Sequence, residues 1–437
     1  MTGARRFGAA TAALTVAASM VGTGVFTTSG FLVADLGSPA AVLLLWGLGG
    51  LVGLCGALCY AELGAMIPEN GGEYTLIGRV WHPLPGFVAA VVSVVVGFGA
   101  PIAGAGIAFG KYTLAAWPAL PVDERVLAVG LILGCTAVHA ARVHLGAALL
   151  NAVTLVQMTA VALVAAAGLW LGSPAHLAAG PPVLQVLPTP AFAVGLVYVG
   201  YAYAGWNAAS YVAGELRDPH RTLPVGLLVG TLGVTALYVA LTAGILMAAP
   251  AEALAGKVEV AHVAAVAVLG ARAGQALSAV VAFGLVGSVM ALLLTGSRVA
   301  EAVGRDYLAL RWLAHRPAGG GPGVALAVLT AVAAGIGALA AFDWLLEWVG
   351  FVLSATATLA VLGVPYARWR WPERARPFRV PALPLVLVVF VAPTVWSMVH
   401  TVLDRPEAGL AGLATVAVAG LPWLFVHRAA DGGPATP

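Results

Sequence analysis

The sequence is poor in charge and rich in apolar residues. Only 9% of its 437 residues are Asp, Glu, Lys or Arg, whereas 61% are hydrophobic and the mean hydropathy is +0.97. A soluble fold of this composition lacks the polar side chains that would cover its surface. The composition therefore excludes a water-soluble globular protein and indicates a chain embedded in lipid.

Cysteines and cofactor motifs are also scarce. The three cysteines, Cys55, Cys59 and Cys135, lie inside apolar stretches, where we interpret them as small packing residues. The i, i+4 spacing of the first two suits neither a disulfide nor a metal site without further ligands. No cluster of His, Cys and Asp indicates a metal, and no Gly-rich phosphate loop indicates a nucleotide. We expect no metal and no cofactor, so that any energy used comes from a gradient.

The chain instead contains apolar stretches long enough to cross a bilayer. Crossing a hydrocarbon core of about 30 Å takes about 20 residues of helix. We place twelve spans near 10–32, 39–63, 86–110, 126–141, 145–170, 191–213, 224–248, 277–302, 324–342, 346–367, 383–401 and 408–427. Arg5 and Arg6 before the first stretch resemble a signal peptide, but the apolar run continues past any cleavage site. The sequence predicts an all-α polytopic membrane protein with 12 transmembrane helices.

The distribution of positive charge predicts the orientation of these spans. Short cytoplasmic loops retain Lys and Arg, and translocated loops have few of them. With both termini inside, sixteen of the 21 Lys and Arg residues fall on the inner side. The outer five are Lys111, Arg125, Lys257, Arg272 and Arg405. We therefore expect a multi-pass protein of the cytoplasmic (inner) membrane with cytoplasmic termini, and we attribute the net charge of +3 to topology and not to a nucleic-acid partner.

Two spans contain interruptions at corresponding places. The first span reads SMVGTGVFTTSG, with Gly22 and Gly24 flanking Thr23, and the sixth reads YAYAGWN, with Gly205 before Trp206. A broken helix survives in lipid only where it lines a cavity or is buried in protein. Matching Gly-interrupted segments five spans apart indicate a transporter site built from inverted repeats. Close helix packing, which also uses small residues, is the alternative interpretation of each interruption alone.

This pairing predicts a five-plus-five inverted repeat whose helices 1 and 6 are unwound at mid-membrane. The first repeat covers 1–170 (spans 1–5) and the second covers 171–370 (spans 6–10), and spans 11 and 12 with the tail cover 371–437. Unwinding span 1 frees N–H groups at a positive helix end, which suits a carboxylate, and unwinding span 6 frees carbonyls, which suit an ammonium group. A molecule with both groups on one carbon is an α-amino acid.

Four motifs carry a resemblance to a known family. They are GTGVF in span 1, LCGALCYAELGAMIPENGGEY in span 2 and its following loop, YAYAGWNAASYVAGELRDPHRTLP in span 6 and TGSRVAEAVGRD at the end of span 8. The sequence resembles the amino acid/polyamine/organocation (APC) transporter superfamily, and within it the L-amino-acid transporter branch. The resemblance implies an amino acid held between spans 1 and 6 and alternating access.

The resemblance also implies binding roles by position. Thr23 and Gly24, with Gly22, match the carboxylate-binding turn, and Met20 and Val21 would offer carbonyls to the ammonium group. The matching positions in span 6 are Tyr201, Ala204, Gly205 and Asn207, of which the first two would offer carbonyls and the last an amide. Two positions depart from the family pattern. Tyr201 stands where Phe is usual, and we expect it to be either an aromatic gate over the site or a core aromatic residue. Ala204 stands where Gly is frequent, and its Cβ should restrict how far span 6 unwinds.

Span 5 contains the position that bears on whether transport is coupled to a proton or to sodium. Many family members carry a Lys there, in the place where sodium sits in sodium-driven relatives, and here Gln157 takes that place. Because Gln does not titrate near neutral pH, proton coupling through it is not expected. It is expected to brace span 5 against Thr295 or Ser297 of span 8, with sodium symport as the alternative.

The positions of charged residues narrow the range of expected substrates and indicate a candidate gate. The middles of spans 3, 8 and 10 carry no Asp or Glu, which favours neutral L-amino acids over cationic ones. Glu62, Glu215 and Arg298 lie at inner helix ends, where we expect either an inner gate of ion pairs or helix caps and interfacial anchors.

The expected function is transport of neutral L-amino acids by exchange or facilitated transport, with an ion-coupled symporter or an exporter on the same fold as alternatives. A membrane-embedded enzyme would need a nucleophile or a metal with a base at membrane depth, and the histidines are scattered near loops. A channel would need polar rings along a pore. The expected partners are the amino-acid substrate and the lipid bilayer. No required protein partner is evident, and spans 11 and 12 are left for packing or contacts in a homo-oligomer.

Overall fold

The computed structural model describes residues 7–141, 147–316 and 323–425, without side chains at 147–154, 308, 309, 424 and 425. Helices account for most of this part of the chain, and its one β-bridge joins Phe7 to Leu216. The all-helical prediction is therefore confirmed for the described residues. Arg5, Arg6, Arg142 and Arg428, which the orientation argument uses, lie outside them.

The first half of the chain contains helices α1 to α8. They are α1 (Ala9–Met20), α2 (Gly24–Leu36), α3 (Pro39–Met66), α4 (Glu73–Val80), α5 (Pro83–Val92), α6 (Ala100–Ala116), α7 (Glu124–Ala140) and α8 (Ala147–Leu171). A π-helical segment, Ser93–Gly99, joins α5 to α6.

The second half contains helices α9 to α18. They are α9 (Val183–Val186), α10 (Pro190–Tyr203), α11 (Pro219–Ala248), α12 (Ala251–Leu254), α13 (Val260–Leu269), α14 (Ala271–Asp306), α15 (Gly323–Leu339), α16 (Phe342–Arg370), α17 (Leu383–Asp404) and α18 (Pro406–Gly420). Short 3-10 segments cover Pro174–His176, Ala208–Glu215, Leu308–Ala314 and Leu421–Phe425.

Each predicted span overlaps helix in the structure. By length and composition, six described helices are long and apolar enough to cross a membrane, counting α5 to α6 as one, and the bent pair α1–α2 makes a seventh. The helices Leu155–Leu171 and Gly323–Leu339, in predicted spans 5 and 9, are apolar but shorter. The sequence prediction had no counterpart for the short helices α4, α9, α12 and α13.

Local sequence accounts for several helix starts. Pro39 and Pro190 occupy the first positions of α3 and α10, where a missing N–H costs nothing. The residues before them cap the helix, since the Thr189 hydroxyl accepts the N–H of Phe192 at 3.3 Å. Such capping gives α3 and α10 a defined N-terminal end.

Helix α10 is enclosed by other helices, whereas α1 has a buried face and an exposed face. α1 packs on α11, α2 packs on α10, and α10 also packs on α3, α16 and α17. The bridge at Phe7 ties the chain before α1 to the segment after α10, because Phe7 donates to the carbonyl of Glu215 at 3.3 Å and its own carbonyl accepts from Arg217 at 2.8 Å. The two interrupted stretches are therefore linked at one end as well as at their breaks.

Candidate functional site

The first interruption divides one apolar stretch into two helices. α1 ends at Met20, α2 begins at Gly24, and the two are bent by 45° at the break. Val21 leaves the helical region with a ψ of 88°. The N–H groups of Thr23, Gly24 and Val25 donate to no backbone carbonyl among the described residues. They lie at the N-terminal end of α2, where the helix dipole stabilises an anion.

The second interruption lies at the C-terminal end of α10. That helix ends at Tyr203, a turn covers 204–207, and the chain continues as the 3-10 segment Ala208–Glu215. Ala204 has an extended ψ of 137°, and Gly205 has a φ of +105°, which only glycine adopts at little cost. The Cβ of Ala204 therefore does not prevent the break, because Gly205 supplies the unusual dihedral angle.

A hydrogen bond joins the two interruptions. The hydroxyl oxygens of Thr23 and Tyr201 lie 3.1 Å apart, and both side chains are buried. The Tyr201 hydroxyl also lies against Gly104 of α6, where an added Cβ would stand 2.9 Å from it. Tyr201 thus connects span 6 to the break in span 1 and to span 3.

Backbone contacts bring the interruptions still closer. A Cβ on Gly205 would lie 2.7 Å from the carbonyl oxygen of Ser19 and 3.1 Å from the nitrogen of Met20. A Cβ on Gly24 would lie 2.5 Å from the Cα of Ala202. Any larger residue at either glycine would push the two broken helices apart.

The carbonyl groups at the two breaks differ in their partners. The Met20 carbonyl accepts the Tyr238 hydroxyl at 2.5 Å, and the Tyr201 carbonyl accepts the Ala204 N–H at 3.0 Å. The carbonyls of Val21 and Ala204 accept no hydrogen bond from the described residues. Among the described residues, the two breaks therefore supply unpaired carbonyls and unpaired N–H groups, which are the acceptors and donors that an ammonium group and a carboxylate need.

Asn207 bonds to a buried carboxylate that the sequence reasoning missed. The Asn207 amide donates to Glu73 Oε1 at 2.8 Å, and the Tyr60 hydroxyl donates to the same atom at 2.8 Å. Glu73 is 6% exposed and forms no ion pair among the described residues. Burial raises the pKa of the Glu73 carboxyl above its ordinary value. The sequence feature that could have indicated this residue is Gly-Gly-Glu at 71–73. Gly71 and Gly72 both have positive φ, and Glu73 is the first residue of α4.

The expected brace at Gln157 contacts a different part of span 8. Its side chain lies in α8 against Gly284 of α14, where an added Cβ would overlap the side-chain oxygen. Thr295 is exposed, and the Ser297 hydroxyl donates to the Leu294 carbonyl at 3.1 Å. Because Thr295 and Ser297 stand about three turns further along α14, the structure does not bring the three residues together.

The three residues of the expected inner gate are not assembled. Glu62 is buried and pairs with Arg368 at 2.6 Å, and its other oxygen lies 3.6 Å from Arg376. Glu215 and Arg298 are exposed and form no ion pair within the described part of the chain. Helix α16 packs on α3, and Arg368 near the end of α16 donates to both carboxylate oxygens of Glu62.

A second ion network lies at the opposite ends of these helices. Arg405 approaches Asp35 of α2 at 3.1 Å and Glu347 of α16 at 3.3 Å. The Tyr198 hydroxyl of α10 donates to Glu347 at 2.7 Å. This network joins α2, α10 and α16, and the sequence reasoning did not find it because its members lie far apart in the chain.

Comparison with known proteins places the chain among transporters. Residues 7–418 match the family model described as "Amino acid permease". The b(0,+)-type amino acid transporter 1 of Mus musculus is 27% identical over 86% of this chain and 79% of its own length. The Asc-type amino acid transporter 1 of Mus musculus is 26% identical over 97% of this chain and 81% of its own length. The serine/threonine exchanger SteT of Bacillus subtilis (strain 168) is 26% identical over 93% of both chains.

Proposed function

This chain belongs to the amino acid permease family, and from that membership we propose that it is a secondary transporter of neutral L-amino acids working by alternating access. The membership confirms the resemblance read from the motifs of spans 1, 2, 6 and 8. It also excludes the membrane-embedded enzyme that the sequence left as a rival.

The observation that carries the proposal is the contact between two broken helices. The Thr23 and Tyr201 hydroxyls meet across them, and Gly205 packs against the backbone of Ser19. The substrate carboxylate would bind the free N–H groups at the start of α2, beside Gly22, Thr23 and Gly24. Its ammonium group would bind carbonyls at Val21 and Ala204, with those of Met20 and Tyr201 nearby.

The proposed arrangement in the membrane follows from this site. All twelve helical stretches cross the bilayer, spans 1–5 and 6–10 form inverted repeats, and the interruptions lie near mid-membrane. The termini and the arginine-rich ends lie in the cytoplasm. Alternating access then breaks the Glu62–Arg368 pair at one end and the Arg405 network at the other.

Exchange or facilitated transport is the mode that we favour. The residue that replaces the family's span 5 lysine, Gln157, carries no titratable proton, and it packs on Gly284. The serine/threonine exchanger among the similar proteins supports exchange of small neutral amino acids.

Proton-coupled symport is the second candidate, and Glu73 is the observation that favours it. Glu73 is a buried carboxylate with no cation beside it among the described residues, and it is bonded to Asn207, which follows the second break; such a group can gain and lose a proton as the site changes. Sodium symport has no comparable support among the described residues.

Counterflow in liposomes tests the proposal. Purified protein is reconstituted in vesicles loaded with an unlabelled neutral L-amino acid, and uptake of the labelled amino acid is measured. We expect saturable uptake that requires internal amino acid and does not change with a sodium gradient. Uptake driven by an inward proton gradient, and abolished in Glu73→Gln, would favour the second candidate. Absence of uptake for every neutral amino acid would contradict both.

A further inference from the structure

A cavity of about 390 Å³ lies at the connection between α16 and α17, away from the two interruptions. It is lined by Pro372 and by four arginines: Arg368, Arg374, Arg376 and Arg379. α16 ends at Arg370 and α17 begins at Leu383, so the cavity lies at the ends of two long apolar helices. No step of the proposed transport cycle needs a cavity at this place.

The described residues leave an excess of positive charge around the cavity. Glu62 is the one carboxylate that pairs with these arginines among the described residues, at 2.6 Å from Arg368 and 3.6 Å from Arg376. Glu373, between the lining residues Pro372 and Arg374, forms no ion pair among the described residues, and four guanidinium groups against these two carboxylates leave an excess of about two positive charges in a small volume. Such an excess is stabilised when an anion enters.

Guanidinium donors also remain without acceptors. The Arg376 side chain is only 10% exposed, and its Nε is buried without a hydrogen bond among the described residues, although Nη2 donates to the carbonyls of Ala367 and Trp371 and Nη1 to those of Pro372 and Arg374. Arg374 makes one long bond, 3.4 Å, to the Met66 carbonyl. Arg379 is exposed and has no hydrogen bond or ion pair within the described chain. Arg374 and Arg379 therefore have free N–H groups for a ligand.

The surroundings fit the depth of lipid headgroups. Trp369 follows the lining residue Arg368 in the sequence and is 75% exposed. The Arg374 guanidinium stacks over the Trp371 ring, 5.7 Å from its centroid. Exposed tryptophan is enriched at the membrane interface, and arginine clusters at cytoplasmic helix ends attract anionic lipids. The planar guanidinium of arginine can donate two parallel hydrogen bonds to the oxygens of one phosphate group, which the ammonium group of lysine does less readily.

We propose that the arginine-lined cavity between α16 and α17 binds a phosphate group. An anionic phospholipid headgroup and a soluble phosphate share this chemistry, and the geometry admits both. Bound phosphate would neutralise the excess charge beside Glu62 and hold the loop 371–382 against the end of α3.

Thermal unfolding of the purified full-length protein in detergent tests the proposal. The probes are dihexanoyl phosphatidylglycerol, dihexanoyl phosphatidylcholine and inorganic phosphate at constant ionic strength, each titrated to give an apparent Kd. We expect phosphatidylglycerol to raise Tm saturably and the zwitterionic lipid to have at most a tenth of that affinity. The double variant Arg374→Gln/Arg379→Gln should lose at least tenfold in affinity. Arg311→Gln, which removes another exposed arginine without an ion pair, is the matched control and should bind as the unmodified chain does.

The remaining outcomes separate the two sources of phosphate. Saturable binding of phosphatidylglycerol alone assigns the cavity to lipid, and equal binding of inorganic phosphate assigns it to a soluble ligand. Absence of saturable binding for both anionic probes, or full affinity in the double variant, would overturn the proposal. The single variant Arg379→Gln, which breaks no contact of the described chain, gives the same readout if the double variant unfolds.

Discussion

Replacing Gly205 by alanine tests whether the two interrupted helices must touch. The added Cβ would stand 2.7 Å from the Ser19 carbonyl oxygen, whereas ordinary contact begins at 3.4 Å, so the backbones must separate by roughly 0.7 Å. A non-glycine residue at a φ of +105° costs a further ~1–3 kcal/mol. A displacement of about 1 Å in a binding site can cost on the order of 100-fold in activity.

We therefore expect Gly205→Ala to lower the initial counterflow rate by about 10- to 100-fold and to lower Tm. The assay is counterflow of a labelled neutral amino acid at matched amounts of protein in the vesicles. Gly233→Ala is the matched control, because no atom lies within 4 Å of its added Cβ in α11. If Gly205→Ala transports and melts as Gly233→Ala does, the close contact between the broken helices is not required and the reasoning fails.

Three further predictions concern side chains around the site. Tyr201→Phe removes the hydrogen bond to Thr23 and should lower the free energy of unfolding by about 0.5–1.5 kcal/mol. In a double-mutant cycle with Thr23→Val, the double variant should lose less than the sum of the two single losses. Additive losses would contradict a direct bond. Burial raises the pKa of Glu73, so the folded protein keeps this carboxyl protonated at pH values above 4.5, where the unfolded chain has lost the proton. Tm should therefore fall as the pH rises from 4.5 to the raised pKa, and Glu73→Gln should remove that fall. The same Tm profile in the variant and the unmodified protein would argue against a titrating Glu73. Glu62→Gln leaves Arg368 and Arg376 without their carboxylate and should destabilise by about 3–5 kcal/mol in thermal or denaturant unfolding, whereas Glu215→Gln, an exposed control without an ion pair among the described residues, should have little effect.

The helices and their interruptions could be predicted because their signals are local. Apolar length marked each span, and the glycines at 22, 24 and 205 marked the breaks; at 24 and 205 an added Cβ would overlap the neighbouring backbone. The family motifs then assigned roles to the residues around the breaks. Each of these inferences needs only neighbouring residues.

Partners that come from distant parts of the chain were not predictable in the same way. Glu73 lies outside every apolar span, and its burial depends on Asn207, which is 134 residues away. Glu62 pairs with an arginine 306 residues away, and no local pattern in the sequence indicates that pairing. Gln157 faces span 8 as expected but at Gly284, because the sequence does not specify how far one helix is shifted along another.

The most direct test of the central claim is an experimental structure of the chain with a bound neutral L-amino acid. We predict density for the ligand between residues 20–24 and 201–207, with its carboxylate at the N–H groups of Thr23 to Val25 and its ammonium group at the carbonyls of Val21 and Ala204. An amino acid bound elsewhere, with both segments wound as continuous helix, would contradict the account.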